Sequence, residues 1–145
     1  MSAWCIVTFE PNSNAGTIMI LRTFLCLLPI AVMTAADSPI GTWRGQSTCL
    51  VRASACRDED SVYRVAPVEK SETRVTLEAN KIENGQEVNM GTSECSYSSS
   101  THVLNCPLPN GSTVRFELKG DTLNGTMTRA DGSAWRKIEL RRSAK

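Results

Sequence analysis

Over much of the chain apolar and polar residues alternate at every step. Val75, Leu77 and Ala79 alternate with Arg74, Thr76 and Glu78, and Val114, Phe116 and Leu118 alternate with Thr113, Arg115, Glu117 and Lys119. A period of two sends successive side chains to opposite faces of a strand, and no stretch sustains a helical period. One face of each run is apolar and the other charged. Such strands belong in an antiparallel sheet with one side on a core and the other in water. The charged outward face also excludes an outer-membrane barrel, whose outside must be apolar.

Turn chemistry divides these runs. Asn84-Gly85, Asn110-Gly111, Gly120-Asp121 and Asp131-Gly132 fall between strand-like segments, and Ser98-Ser99-Ser100-Thr101 does the same. Asn, Asp and Gly accept the positive φ that tight hairpins require. The pattern predicts eight strands, at about residues 40–51, 60–67, 73–83, 86–97, 102–108, 113–119, 122–129 and 134–142. Short loops make them a meander, and closure of a meander removes both exposed edges. The expected fold is therefore all-β, an eight-stranded antiparallel up-and-down β-barrel. A two-sheet β-sandwich is the alternative, but the long cross-connections it needs are missing.

The N-terminal part reads as an address. Phe24 to Met33 is an unbroken apolar run, with Arg22 before it and Thr34-Ala35-Ala36 after it. A positive charge, a short apolar core and a small-residue exit make a secretory signal peptide. The run is short of the roughly 20 apolar residues that a membrane span needs. The pattern is best placed if translation begins at Met19. Residues 1–18 are then expected to be a mis-assigned extension, 19–36 the signal peptide cleaved near Ala36, and 37–145 the folded domain, secreted or periplasmic. That domain holds 15 Lys+Arg and 14 Asp+Glu. This balance offers no basic face for nucleic acid.

Four of the six cysteines fall in the domain: Cys49, Cys56, Cys95 and Cys106. In an oxidising compartment disulfides are the default. Four cysteines allow three pairings. Chain order favours Cys49–Cys56 and Cys95–Cys106, since each pair brackets one local turn, and a tip at Ser100-Thr101 sets Cys95 opposite Cys106. A zinc site is disfavoured: there is no C-x-x-C pair, and His102 is the chain's one histidine.

Gly41-Thr42-Trp43 opens the first strand of the domain. This Gly-x-Trp resembles the first-strand signature of lipocalins and their calycin relatives. The resemblance implies a barrel with Trp43 plugging one end and a basic residue of the last strand packed across it. In an antiparallel closure that residue is Arg142, in phase with Ile138 and Leu140. The chain departs from a standard lipocalin in being shorter and in having no C-terminal helix pattern. The aromatic residues are too few for the ligand box of avidin-like barrels.

An eight-stranded barrel either fills with side chains or holds one small ligand. The expected interior, and with it the ligand-binding surface, comprises Trp43, Gly45, Ser47, Leu77, Ala79, Met90, Val114, Phe116, Leu118, Met127, Ile138 and Leu140. Val75, Val88, Leu104 and Leu123 join it by the same alternation. Small residues among aliphatic ones leave volume for an apolar molecule. The expected function is thus binding of a small hydrophobic ligand by a monomeric exported barrel. The alternative is a protease-inhibitor-like interaction module reaching its partner through Asp37-Ser38-Pro39-Ile40, as in small periplasmic protease-inhibitor barrels. No catalytic constellation, metal cluster or cofactor motif is seen, so no enzyme activity and no cofactor are expected. Asp58-Glu59-Asp60 reads as a solvated loop rather than a calcium site, and His102 as a surface or strand residue. Asn110-Gly111-Ser112 and Asn124-Gly125-Thr126 match the glycosylation pattern.

Overall fold

Each alternating segment is a strand, and each turn dipeptide joins two of them. The computed structural model describes residues 38–51 and 55–144. The proposed extension, signal peptide and cleavage site lie outside the described residues. The strands are β1 (Gly41–Cys49), β2 (Glu59–Pro67), β3 (Arg74–Glu83), β4 (Gln86–Ser98), β5 (Val103–Pro107), β6 (Thr113–Lys119), β7 (Thr122–Thr128) and β8 (Ala134–Arg142). Every strand pairs antiparallel with its sequence neighbours, and β8 returns to β1, closing an up-and-down barrel. The sandwich alternative is excluded by that closure. Among the described residues no helix is long and apolar enough to cross a membrane.

The register stacks the inward side chains in rows across the wall. The row nearest one end runs Leu118, Leu123, Leu140 and Gly45. The next runs Leu104, Phe116, Gly125, Ile138 and Ser47. Gly125 belongs there because a Cβ at that position would collide with the Phe116 ring. A Cβ at Gly45 would collide with the Glu139 carbonyl, so the wall closes on itself at that glycine. A third row runs Cys106, Val114, Met127, Arg136 and Cys49. Both bonded cysteine pairs, Cys49–Cys56 and Cys95–Cys106, have one member in this row, with Cα separations of 6.0 and 4.3 Å. These pairs are compatible with an oxidising extracellular or periplasmic location.

The upper rows are full. Trp43, Leu104, Phe116, Leu123, Ile138 and Leu140 are completely or almost completely buried. Trp43 caps them, and its indole Nε1–H donates to the Pro39 carbonyl at 2.8 Å. The Arg142 guanidinium lies over the indole, 4.2 Å from the ring centroid. It also donates to the carbonyls of Ser38 and Ile40, both at 2.8 Å, and to Asp121 at 3.0 Å.

Two residues expected to be buried in the interior are exposed. Met90 is 52% exposed and Val88 37%. The register of β3 on β4 shifts here: Ala79 faces Gly91 and Asn80 faces Asn89, leaving Met90 as an extra, unpaired residue. Such a bulge bends the strand and re-aims side chains. The bend carries the β3–β4 hairpin over the outer face of the barrel. Glu87 there pairs with Arg44 at 3.0 Å and Arg64 at 2.6 Å. The Arg64 hydrogen bond is the main cause holding the Glu87 carboxyl below the usual carboxylate range. Val62 and Asn80 face outward yet are 1% and 3% exposed, because this hairpin covers them.

Candidate functional site

The end opposite Trp43 is built differently. The β1–β2, β3–β4, β5–β6 and β7–β8 connections gather there, as the up-and-down order requires. The barrel wall is also thinnest on this side. β4 and β5 share only the pairs Ser96–Asn105, Tyr97–Leu104 and Ser98–Val103, although β4 is 13 residues long. Below the Cys95–Cys106 bond, β4 runs without a β5 partner.

A cavity of about 360 Å³ opens through this gap. Tyr63, Leu77 and Ala79 form its inner wall, Gly91, Thr92 and Ser93 its β4 side, and Leu108, Val114 and Met127 the side across, with Met90 at the rim. Its lining is predominantly aliphatic and aromatic, the character expected of a small-molecule site. Of the residues expected to line a ligand site, Leu77, Ala79, Met90, Val114 and Met127 meet here. Trp43, Gly45, Ser47, Phe116, Leu118, Ile138 and Leu140 do not; they belong to the packed upper rows, so the space lies beside the lower half of the core and not over Trp43.

A second bulge lies at the same end. Met127 faces Arg136 and Thr128 faces Ala134, leaving Trp135 unpaired on β8. Its carbonyl accepts the Leu50 N–H at 2.9 Å, so the displaced backbone is satisfied. The turn at 129–133 is closed by Arg129 N–H donating to the Ser133 carbonyl and Gly132 N–H to the Arg129 carbonyl, both at 2.9 Å. That turn folds Arg129 back over Trp135, with Cζ 3.4 Å from the ring centroid. Arg129, Trp135, Met90 and Met127 share a cavity of about 530 Å³ that adjoins the first one.

Arg136 stands in the third row as a buried cation, between Met127 and Cys49. Its Nε donates to Ser47 Oγ at 2.7 Å, and Nη2 donates to the carbonyls of Ser47 and Arg57 at 2.9 and 2.7 Å. Nη2 lies 3.1 Å from Glu59 Oε2 and Nη1 3.1 Å from Cys56 Sγ. A buried charge is tolerable when paired and fully hydrogen-bonded, as here. The acidic triplet is thereby shared among separate structural tasks. Asp58 Oδ1 accepts the Cys49 N–H at 2.7 Å, Glu59 holds Arg136, and Asp60 Oδ1 accepts from Gln46 at 2.7 Å. His102 sits in the β4–β5 turn with φ of 54°, its Nδ1 3.4 Å from the Tyr97 hydroxyl. Burial pushes the Tyr63 phenol up to about 12; Arg136 opposes that shift and Glu59 adds to it.

Tyr63, Leu108, Arg129, Trp135 and Arg136 line these cavities too, though they are not among the residues that the sequence assigns to the interior. A signal existed for two of them. Tyr63 alternates with Ser61 and Val65, and Arg136 is in phase with Ile138 and Leu140. Trp135 is placed by a bulge, and Arg129 by the turn that follows from it. Comparison with known proteins finds no matching family model and no matching curated protein.

Proposed function

We propose that this chain is an exported lipocalin-like barrel that binds a small hydrophobic ligand at the end opposite Trp43, without enzymatic activity. The carrying observation is the 360 Å³ cavity lined by Tyr63, Leu77, Ala79, Leu108, Val114 and Met127. A closed barrel with a filled core needs no such apolar cavity, and the partly buried Ala79, Leu108 and Met127 on its wall leave apolar surface that a ligand would cover. The short β4–β5 pairing gives a ligand a way in that does not require breaking the long ladders. The inhibitor alternative would use the segment leading into β1. Ser38, Pro39 and Ile40 are instead hydrogen-bonded to Arg142 and Trp43, which favours the ligand reading.

The test is titration with N-phenyl-1-naphthylamine, a neutral apolar fluorophore, against the wild type and Leu108→Trp, which narrows the opening. Saturable, equimolar binding to the wild type and its loss in the variant, at unchanged melting temperature, is expected. No saturable binding to the wild type would overturn the reading.

A further inference from the structure

The apolar cavity accounts for the body of a ligand but not for the cation at its edge. Arg129 and Arg136 both line the adjoining space. Arg136 is saturated by Ser47, Arg57 and Glu59. Arg129 is not: among the described residues no carboxylate lies within ion-pair distance of it. Its nearest acidic neighbour in the turn, Asp131, is committed to Ser133, whose N–H and Oγ donate to Oδ1 at 2.9 and 2.6 Å. The Arg129 Nε is shut off from solvent and has no acceptor. An unsatisfied buried donor is costly, and an arriving acceptor relieves that cost.

The stack on Trp135 defines the acceptor's shape. With one face of the guanidinium against the indole, the in-plane edge is what remains for a partner. That edge, Nε with a terminal nitrogen, matches a planar two-oxygen anion. Met90, Asn110 and Met127 line both cavities, so the space beside Arg129 continues into the apolar one. The two bulged residues, Met90 and Trp135, are what shape this junction.

We propose that Arg129, stacked on Trp135, receives the carboxylate of an amphiphilic ligand whose aliphatic chain occupies the cavity between β4 and the β5–β6 turn. The inference rests on the hydrophobic-ligand reading above and names the head group that reading leaves open. Arg129 shifts its long, unbranched side chain slightly to admit the carboxylate oxygens, while the chain passes Met90 and Met127 toward Leu77 and Val114.

The test is calorimetric titration of the protein with dodecanoate and with 1-dodecanol, both below their aggregation thresholds, repeated on Arg129→Gln. Dodecanoate is expected to bind about tenfold or more tightly than dodecanol, the difference a charged hydrogen-bonded head group supplies. Arg129→Gln should abolish that advantage, lowering dodecanoate affinity to that of dodecanol. Equal affinities in the wild type, or dodecanoate binding that ignores the substitution, would overturn the role of Arg129 while leaving the cavity reading standing. Binding of neither compound would overturn both. The wild-type comparison of the two ligands is decisive even if the variant fails to fold.

Discussion

Arg142 lies over Trp43, its Cζ 4.2 Å from the ring centroid, and the two residues face each other across the β1–β8 ladder. The pair closes the filled end of the barrel. Trp43→Ala should cost about 3–5 kcal/mol, the range for emptying a buried aromatic site. Arg142→Ala should cost less, about 1–3 kcal/mol, since its charge is partly exposed and its loss leaves the Ser38 and Ile40 carbonyls to water. Denaturant melts of both variants provide the measurement. A cost below 1 kcal/mol for Trp43→Ala would contradict the plug.

Arg136 and Glu59 form a second pair at the opposite end, with Arg136 buried and Glu59 half-buried. Removing one partner strands the other, so Arg136→Ala should cost about 3–5 kcal/mol. Glu59→Gln should cost less, because the Ser47 and Arg57 acceptors still hold the guanidinium. Added salt should change the stability contribution of this pair little, since it is screened far less than the exposed Arg115–Glu117 pair. Melts of the variants at low and high ionic strength check this.

Gly125 is a packing residue. Gly125→Ala drives a methyl into the Phe116 ring and should cost about 1–3 kcal/mol, as overpacked cores do. Combining it with Phe116→Leu should recover part of the loss. A double-mutant cycle in thermal denaturation reads the coupling.

Tyr63 makes stability fall at alkaline pH. Its folded pKa, about 12, lies above the ordinary value of 10.0, so the folded state holds the phenol proton more tightly than the unfolded chain does. The contribution is complete below pH 10 and is lost as pH rises through 12. At 1.36 kcal/mol for each pH unit, the loss is about 2–3 kcal/mol. Tyr63→Phe should remove that component of the alkaline decline. Unfolding free energies measured from pH 9 to 12 provide the comparison.

The strand order, the closure and the cysteine pairing follow from local patterns. Alternation in β3 and β6 gives strands with one apolar face, and Asn84-Gly85 and Asn110-Gly111 give their turns. A β4–β5 tip at Ser100-Thr101 brings Cys95 to Cys106. The site at the open end is a different matter. Its shape depends on two inserted residues, Met90 and Trp135, that a strict two-residue period assigns to the wrong place. Gly91, with its φ of 131°, is the one local mark of the first bulge, and nothing in Ala134-Trp135-Arg136 marks which residue the partner strand will skip. That choice is made by the curvature needed to close the barrel, a property of all eight strands together. Arg136 is hard to read from the sequence for another reason. A charge beside Lys137 reads as surface, and only its phase with Ile138 shows that it points inward.

The hydrogen bonds that Arg142 makes to Ser38 and Ile40, and the one from Ser143 N–H to the Thr42 carbonyl, bring the start of β1 and the end of β8 together. The strand ladder is a ring, and the chain happens to be cut where β8 meets β1. A circular permutant that bridges Ser38 to Ser143 with a short linker and opens at the exposed Asn84-Gly85 turn preserves every ladder of that ring. It should fold to the same barrel with its new ends at the tip of the β3–β4 hairpin, so the position of the termini is free to move around the ring without touching the core.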